Sequence, residues 1–482
     1  MAVASRFRPK TAAVGFDAIV IGAGAGGLAA AYKLTSAGKR VLVIEKGGRL
    51  RADDHGPERS TPLPASAYRC PEHWQDSTGK SFLPDEFSNV GGKTKWYGGA
   101  LLRMSSEEFS ADPSYRAFGW PISYKKFSRH YDEAENLFSP MHFSYATHLA
   151  SIVSDICDDG RWTCDPIAMA LHKDILNNSY AIKYFDGYAS ASAYKKDAEN
   201  VFLTRIGSAP NFRMMTGVEV TALLHADTNP SHITGVACSD GTTWRARAVV
   251  AAAGAMRSPL LLQRHMSRSG LAGSHLIGAF FKKHLMSTVF VISLKANDDV
   301  MRKTSQFFSN DYPHSMSQCL AWFDGERIVR RLPNLVPRAL AARVSARVTL
   351  FSIITEDGSH LSNAVRLSAT GLPILDYSTS RLPEAENEHR RALRSFCWRL
   401  WRSGRVVLTR AVGLGGTGHA VGTLMTGRNP DGSVVDDAGR VHGMRGLYVA
   451  DGSILPRSGR VNPALTIYAW GLRVGELLGA SL

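Results

Sequence analysis

Residues 16–45, FDAIVIGAGAGGLAAAYKLTSAGKRVLVIE, predict a complete βαβ unit. A short apolar run precedes a glycine-rich loop, a segment of helical composition follows it, and a second apolar run closes the stretch. Gly22 permits the tight turn, and Gly24 lets the backbone approach a pyrophosphate. Gly27 allows the helix to pack closely on the strand, and the helix N-terminus offers N–H groups and a positive dipole to phosphates. The stretch is typical of a dinucleotide-binding domain.

An acidic residue, Glu45, ends the second strand of this unit, 18 residues after Gly27. A carboxylate at this position can accept hydrogen bonds from both hydroxyls of an adenosine ribose, and it would repel a 2′-phosphate, which argues against NADP. Because strand, loop, helix, strand and acid all occur in register, a chance cluster of glycines is the weaker explanation.

Two later segments have a similar character. Residues 200–265 contain NFRMMTGVEVTALLHA and HITGVACSDG, which look like antiparallel strands, and then WRARAVVAAAGAMRSP, a buried strand that ends at Gly254. Near the C-terminus, GLYVADGS predicts a strand and turn, and NPALTIYAWGLRVGELL predicts an amphipathic helix.

The length of 482 residues favours two domains. We expect an α/β plus α+β fold in which residues 1–119, 200–265 and 411–482 form one discontinuous, Rossmann-like domain that binds the cofactor. Residues 120–199 and 266–410 would form an inserted substrate domain that carries an antiparallel sheet.

Composition narrows the class of protein. The net charge of +15 is not accompanied by a helix-turn-helix, zinc or RNA-binding signature, so we expect no nucleic-acid partner. No stretch approaches the roughly 18 apolar residues of a membrane span, and residues 1–16 predict a short tail instead of a secretory signal. The six cysteines lack metal-type spacing, which favours a reducing compartment, the cytoplasm by default, and no metal site.

Four stretches together resemble the glucose–methanol–choline (GMC) oxidoreductase family. The first is the N-terminal fingerprint, and the second is VGGKTKWYGG at 90–99, followed by Arg103, GWPI and HYDEAENLF. This second motif is similar to the flavin-contacting loop of the sugar-oxidising, pyranose oxidase-like branch. The third is AAAGAMRSP at 251–259. The fourth and most specific is the run of HAVGT at 419–423, GRVHGMRGLYVADGSILP, and VNPALT at 461–466.

The resemblance implies FAD as the cofactor and assigns roles to individual residues. The histidine of HAVGT lies over the flavin in the family, so His419 is implied as the catalytic base, with Asn462 beside it. Asp451 matches the acid that meets the ribityl–phosphate region, and Val220 matches the residue whose backbone meets the adenine. The expected cofactor contacts are Gly22, Gly24, Gly27, Glu45, Gly91, Gly92, Thr94, Trp96, Gly98, Val220, Gly254, Asp451, Gly452 and Pro463.

Non-covalent binding of FAD is also implied. Some pyranose-oxidising relatives attach FAD through a histidine between the Thr and the Trp of the second motif, and this chain has Lys95 at that position. The side chain of Lys95 is either a solvated loop lysine or a substrate contact, and the sequence favours neither.

The residue types suit alcohol oxidation, in which a proton and a hydride leave and flavin N5 accepts the hydride. A neutral imidazole can take the hydroxyl proton near neutral pH, a contribution of roughly 10²–10⁴ in rate. Asn462 can donate a hydrogen bond to the developing alkoxide. Alternatively, His419 only packs, which its HAVGT context disfavours, and Asn462 caps the helix that Pro463 begins, a role compatible with catalysis. We expect His442 to be structural.

Two basic stretches have simpler explanations. Residues 384–403 place acids early and arginines late, with Gly404 beyond, which is typical of a helix with a solvated basic face. Its packed face should carry Leu393, Phe396, Cys397, Leu400 and Trp401. Residues 327–348 contain six arginines and no acid, which fits a lid over the site or, with less support, a contact with an anionic membrane.

The expected function is FAD-dependent oxidation of an alcohol carbon of a sugar or sugar-like polyol. The same chemistry on an aminocyclitol glycoside, a sterol or a simple alcohol is the first alternative, although the net charge of +15 weighs mildly against a polycationic aminoglycoside. A flavin-binding electron-transfer partner without turnover is the second, disfavoured because both His419 and Asn462 are present. The expected partner is a small-molecule alcohol, and oxygen, a quinone and a protein are all open as the electron acceptor.

Overall fold

A computed structural model describes residues 15–50, 68–188, 194–271, 275–322 and 343–482. The βαβ unit predicted from residues 16–45 is present. Strand β1 (Phe16–Ile21) leads through the glycine loop into helix α1 (Ala25–Ser36), and strand β2 (Val41–Glu45) returns parallel to β1. All of β2 is buried, as expected for a parallel strand covered on both faces.

The other helices and strands of the described residues have the following bounds. The helices are α2 (Tyr124–Phe138), α3 (Thr147–Cys157), α4 (Thr204–Ile206), α5 (Ser258–Ser269), α6 (Pro383–Arg402) and α7 (Ala464–Ser481). The strands are β3 (Trp74–Asp76), β4 (Ser81–Phe82), β5 (Thr163–Pro166), β6 (Phe212–Thr216), β7 (Val220–Ala226), β8 (Asn229–Cys238), β9 (Thr243–Ala251), β10 (Leu285–Ile292), β11 (Ser305–Phe308), β12 (Ser315–Cys319), β13 (Val348–Thr355), β14 (Ala364–Leu367), β15 (Pro373–Asp376), β16 (Val406–Ala411) and β17 (Leu447–Val449).

Strands from three distant parts of the chain join one seven-stranded sheet in the order β6-β2-β1-β9-β8-β7, with β17 also paired to β9. Strands β6, β2, β1, β9 and β17 are parallel, and the β7–β8 hairpin pairs antiparallel with the start of β9. The predicted discontinuous, Rossmann-like fold is therefore confirmed, because the first, middle and C-terminal segments share one sheet.

One strand direction was predicted wrongly. Antiparallel pairing is correct for β7 and β8, but β6 lies parallel to β2 at the other edge of the sheet, with Phe212 beside Val41 and Thr216 beside Glu45. The chain leaves β6 through Gly217, whose φ of +72° belongs to the left-handed region. Strand β6 is an edge strand and pairs on one side only. Its mixture of polar and apolar residues therefore does not indicate whether it pairs parallel or antiparallel.

Two further sheets are formed by the described residues. The six-stranded sheet, β16-β10-β13-β12-β11-β5, is antiparallel throughout, as predicted for the inserted part of the chain, and α3 and α6 pack against it. The four-stranded sheet, β14-β15-β3-β4, joins residues 74–82 to residues 364–376. This small sheet joins strands from the two predicted domains. The domain boundaries therefore remain a prediction.

Helices α1 and α7 approach each other through glycines. A Cβ placed on Gly471 would lie 2.4 Å from the Gly26 carbonyl oxygen, and one on Gly475 would lie 2.5 Å from the Ala30 carbonyl oxygen. Side chains at these positions would push the helices apart, so glycine is required for the contact. Residues 464–481 thereby complete the domain that residues 16–45 begin.

Helix α6 confirms the helix predicted over residues 384–403, but its packed face differs from the prediction. Phe396 and Leu400 are buried, whereas Trp401 is 68% exposed. Trp401 lies about 140° around the helix from Phe396, at the margin of the apolar stripe. Arg399 departs from the solvated basic face predicted for this helix, because it is buried and its Nη2 donates to Asp159 Oδ2 at 2.6 Å.

Residues 1–14, which include the predicted tail, and residues 327–342 of the arginine-rich stretch lie outside the described residues. From residue 343 onward, the arginine-rich stretch leads into β13 at Val348. None of the helices in the described residues combines the length and the apolar composition needed to cross a membrane.

Candidate active site

A large cavity lies at the carboxyl ends of the parallel strands. It is lined by the residues that end or follow these strands, namely Gly22, Glu45, Gly254 and Asp451. The six-stranded sheet contributes Met286 and Gln318 to the same cavity. Ligands of doubly wound sheets bind at this edge, where loops and helix N-termini converge. The cavity therefore brings the nucleotide-binding loop and the inserted sheet together.

The glycine loop has the division of roles that the fingerprint predicts. Gly22 has a φ of +103°, and a Cβ there would lie 2.5 Å from the Ala252 carbonyl oxygen. A Cβ on Gly27 would lie 2.1 Å from the Gly22 carbonyl oxygen. A Cβ on Gly24 would meet nothing within 4 Å, and Gly24 lines the cavity. Gly22 and Gly27 thus allow close packing, while the backbone at Gly24 is open to a diphosphate.

Glu45 is buried at the end of β2, where it holds the glycine loop. Its Oε2 accepts a hydrogen bond from Ala23 N at 2.9 Å, and its Oε1 accepts one from Gly47 N at 2.8 Å. Burial raises the pKa of the Glu45 carboxyl, and the two N–H donors oppose that rise. Glu45 lines the cavity together with Val220, which begins β7.

The second motif packs directly on the glycine loop. Gly91 N donates to the Ala23 carbonyl oxygen at 2.8 Å, and a Cβ on Gly92 would lie 3.1 Å from Gly24 Cα. Gly92, Thr94 and Gly98 line the cavity. The contact explains why two motifs about 70 residues apart in sequence form one surface.

Three predicted cofactor contacts, Gly27, Gly91 and Trp96, do not line the cavity. The indole of Trp96 is buried, and its Nε1 donates to Asn89 Oδ1 at 3.1 Å. Trp96 shapes the loop from behind, as Gly27 shapes the helix–strand contact.

Lys95 fits neither of its two predicted roles. Its Nζ lies 3.0 Å from Asp197 Oδ2 and 2.6 Å from Glu199 Oε2, and its side chain is buried off the cavity lining. Lys95 thus belongs to a buried ion cluster, because the two carboxylates compensate the loss of water around its ammonium group.

Asp451 follows β17 and joins three turns. Its Oδ2 accepts from Gly254 N at 2.8 Å and from Ser258 Oγ, while its Oδ1 accepts from Ser453 N at 2.9 Å. Burial raises the pKa of the Asp451 carboxyl, and these donors oppose that rise. Asp451 lines the cavity beside Gly452, so it fixes the loop geometry and borders the ligand space at once.

His419 lines the cavity and contacts a second histidine. Its Nδ1 lies 2.8 Å from the Nδ1 of His284, which precedes β10. His284 is buried, and its Nε2 lies 2.9 Å from the Gly459 carbonyl oxygen and 3.3 Å from that of Ser458. His284 was not predicted from sequence, because a single histidine before a strand has no motif around it.

This chain of contacts fixes the tautomers of both rings. Carbonyl oxygens only accept, so the Nε2 of His284 carries the hydrogen. Burial lowers the pKa of His284, so the ring is neutral and its Nδ1 is an acceptor. The Nδ1 of His419 must therefore donate, which leaves the lone pair of a neutral His419 on Nε2. Within the described part of the chain, that Nε2 has no hydrogen-bond partner.

The pKa of His419 lies well below its usual value. Burial is the main cause, and the neighbouring His284, Lys93 and Lys303 add to it. Lys93 is paired with Glu86, and Lys303 is paired with Asp186. The imidazole is therefore neutral at neutral pH and available as a proton acceptor.

Asn462 also lines the cavity, and its amide is unengaged. Its Oδ1 is buried, and neither Oδ1 nor Nδ2 has a hydrogen-bond partner among the described residues. Helix α7 begins at Ala464 with Pro463 as its N-cap residue and without a side-chain cap. The capping role that we considered for Asn462 is thus not observed. Pro463 and Gly452 line the cavity beside it.

Comparison with known families agrees with this geometry. The family described as GMC oxidoreductase matches residues 363–471, and the one described as NAD(P)-binding Rossmann-like domain matches residues 20–76. The two matches contain the HAVGT and VNPALT motifs and the glycine fingerprint. Residues 363–471, which contain His419 and Asn462, thus match the GMC oxidoreductases.

Three curated relatives match this chain over almost its whole length. Paromamine 6'-oxidase of Streptomyces fradiae is 29% identical, covering 97% of this chain and 92% of its own. 6'''-Hydroxyparomomycin C oxidase of Streptomyces lividus is 28% identical, covering 98% and 93%. A third relative, 2-methyl-1,2-propanediol dehydrogenase of Mycolicibacterium austroafricanum, is 22% identical, covering 96% and 95%.

Solved structures share the fold. Pyridoxine 4-oxidase from Mesorbium loti superposes with a TM-score of 0.63 at 16% identity, covering 96% of this chain and 98% of its own. Formate oxidase from Aspergillus oryzae RIB40 superposes with a TM-score of 0.68 at 15% identity, covering 98% and 99%. Together with the family matches at residues 20–76 and 363–471, these structures support FAD as the cofactor, and the glycine loop, Glu45 and the Asp451 turn fit its nucleotide part.

Proposed function

We propose that this chain is a GMC-type oxidoreductase that oxidises a CH–OH carbon of a sugar or sugar-like polyol, with His419 as the base. One observation carries the proposal: the free Nε2 of His419 and the free amide of Asn462 line the same cavity as the nucleotide-binding loop. Bound FAD supplies the hydride acceptor at flavin N5.

His419 would take the hydroxyl proton at Nε2. Nε2 can accept this proton, because the His419 ring is neutral and its Nδ1 hydrogen is donated to His284. His284 holds the imidazole in the required tautomer and accepts from it as the imidazolium forms. Proton transfer to a base positioned in this way contributes roughly 10²–10⁴ in rate.

Asn462 would stabilise the oxygen from which the proton leaves. Its Nδ2 can donate to an alkoxide, and a buried amide without a partner gains most from a ligand that arrives during the reaction. A flavin-binding electron-transfer partner without turnover would not need a histidine held in one tautomer and an unpaired amide in one cavity.

We also propose that FAD is held without a covalent bond. Among the described residues that line the cavity, His419 is the one histidine. Lys95 forms ion pairs with Asp197 and Glu199 away from the cavity lining. A reducing compartment such as the cytoplasm is part of the proposal, because the six cysteines are free thiols.

A second candidate substrate is an aminocyclitol glycoside, because the two Streptomyces relatives are a paromamine oxidase and a hydroxyparomomycin oxidase. The overall charge of +15 does not carry into the cavity. Five carboxylates and five cations line it: Glu45, Glu86, Asp186, Glu219 and Asp451, and Lys46, Lys93, Arg257, Arg264 and Lys303. The acidic and basic side chains of the cavity are therefore equal in number, and a ligand with amino groups meets no excess of positive charge there.

The test is reduction of bound flavin by a panel of alcohols without oxygen. The panel contains methyl α-glucopyranoside, paromamine, 1,2-propanediol, 1-propanol and a sterol, with loss of the oxidised-flavin absorbance as the readout. We expect the glycosides to reduce the flavin fastest and the His419→Ala variant to react slowly with the same compounds. A chain that binds FAD but is reduced by no alcohol contradicts the proposal, and fastest reduction by the sterol or 1-propanol contradicts the substrate class.

A further inference from the structure

A second ion pair in the cavity lies close to His419 and has no part in the proton transfer. Lys303 Nζ lies 2.7 Å from Asp186 Oδ2, and both residues line the cavity. Lys303 is near enough for its charge to lower the pKa of His419. A Cβ on Gly98 would lie 2.0 Å from Lys303 Nζ, so a glycine at this position leaves room for the pair. Within the described residues, Asp186 Oδ1 has no hydrogen-bond partner.

The segment that carries Asp186 is held in place from below. The buried Lys195 donates from Nζ to the Phe185 carbonyl oxygen at 2.6 Å and to the Tyr188 carbonyl oxygen at 2.7 Å. Gly187 N donates to the Trp96 carbonyl oxygen at 2.9 Å. Because the backbone on both sides of Asp186 is fixed, its carboxylate is presented to the cavity in one place.

Gln318 adds an amide to the same cavity. It lies on β12, is 2% exposed, and its Oε1 is buried without a hydrogen-bond partner among the described residues. A buried amide that lacks a partner costs free energy, and a ligand that hydrogen-bonds to it recovers that cost. Gln318 thus offers an unpartnered amide oxygen on the wall of the cavity.

We propose that Asp186, Lys303 and Gln318 form a subsite that binds hydroxyl groups of the substrate other than the one being oxidised. A hydroxyl both donates and accepts, and the pair offers a carboxylate acceptor next to an ammonium donor. An ammonium group at this point would meet the positive charge of Lys303. The subsite selects a neutral polyol face over a monohydric alcohol or a sterol, and the inference rests on the proposed alcohol oxidation.

The experiment compares matched alcohols with the FAD-loaded enzyme under anaerobic conditions. The pairs are 1,2-propanediol with 1-propanol, and methyl α-glucopyranoside with its 4-deoxy analogue. We measure the rate constant of flavin reduction divided by the apparent dissociation constant. We expect the wild type to prefer the hydroxylated member by roughly ten- to a hundredfold, as one charge-assisted hydrogen bond predicts.

Two variants remove the subsite in different ways. Gln318→Leu leaves the ion pair intact, and the double variant Asp186→Asn, Lys303→Gln removes both charges together, so neither leaves a buried charge unpaired. We expect both variants to lose the preference, mainly because this ratio falls for the hydroxylated member of each pair. Lys33→Met, which breaks the Lys33–Glu133 pair away from the cavity, is the control and should keep it.

The outcomes separate this inference from the proposed function. Equal reaction of both members of each pair in the wild type, or an unchanged preference in both variants, overturns the subsite while alcohol oxidation stands. Absence of flavin reduction by every alcohol overturns the proposed function and the subsite with it. A variant that purifies with its flavin spectrum unchanged is folded, so its loss of preference counts for the subsite.

Discussion

The imidazoles of His284 and His419 meet nitrogen to nitrogen, with 2.8 Å between their Nδ1 atoms. The other nitrogen of His284 is committed to the carbonyl oxygens of Ser458 and Gly459. One hydrogen therefore lies between the rings, and it belongs to His419. The start of β10 and the loop before α7 are both needed to orient the nitrogen that faces the cavity.

Substitution of His284 tests this arrangement. His284→Leu removes the acceptor and should slow flavin reduction by at least about tenfold, because His419 loses its fixed tautomer. His284→Asn places an amide oxygen where Nδ1 was and should restore most of the rate. Anaerobic stopped-flow measures both, and the apparent dissociation constant of the alcohol should change little. Equal losses in the two variants would mean that His284 only fills space.

Substitution of the two cavity residues should separate their roles. His419→Ala should keep FAD bound and slow reduction by roughly two or more orders of magnitude near neutral pH. Asn462→Ala should slow reduction by a smaller factor, since it removes one donor. Single-turnover reduction with a cognate alcohol measures both. A His419→Ala enzyme that reduces at the wild-type rate shows that the base lies elsewhere.

The pH dependence of flavin reduction should report the lowered pKa of His419. The base works when deprotonated, so the rate should rise with pH through an ionisation below 6.5 and stay flat across the neutral range. Rate constants at saturating alcohol between pH 4.5 and 9 measure this. A rising limb centred above pH 7 would contradict the assignment.

FAD should leave the protein intact on denaturation. We expect a yellow protein whose acid or heat precipitate releases FAD into the supernatant, because Lys95 is held in its ion cluster and is no candidate for attachment. Chromatography of the supernatant measures the released flavin. Colour that stays with the precipitate contradicts non-covalent binding.

His389 should make the fold sensitive to acid. Burial lowers its pKa to about 4, and its two nitrogens lie 2.9 Å from Ser287 Oγ and Thr355 Oγ1. Between pH 6.5 and 4 the unfolded chain binds more protons, so stability is lost as pH falls through this window, by roughly 3 kcal/mol at its lower end. Thermal unfolding at pH 7 and 4.5 should show a smaller drop for His389→Gln than for wild type. An exposed-site control, His172→Gln, should match the wild type.

Much of the cofactor-binding region could be predicted from sequence. The glycine loop, Glu45 and the strand that ends before Gly254 follow from local pattern, because a βαβ unit is specified by residues near one another. The placement of His419 and Asn462 in one cavity came from the family motifs, since about 40 residues separate them and no periodicity links them.

The rest depends on contacts between distant segments. Asp186 and Gln318 reach the cavity from a separate loop and strand, His284 contacts His419 from behind, and nothing in their local sequence marks them. The role of Lys95 cannot be predicted from sequence for the same reason, because its partners Asp197 and Glu199 lie about 100 residues further on. Trp401 shows the limit of periodicity, which locates a helix better than the margin of its packed face.

The glycine contact between α1 and α7 has a consequence for how the enzyme is made. A ribosome delivers residues 464–481 about 420 residues after β2, which at 5–20 residues per second is tens of seconds later. Until then α1 lacks the partner that packs against Gly26, and Asp451 and Asn462 are synthesised only shortly before it. The nascent chain therefore waits with an incomplete binding surface, and capture of the flavin is a late step of biogenesis that a chain stalled before α7 never reaches.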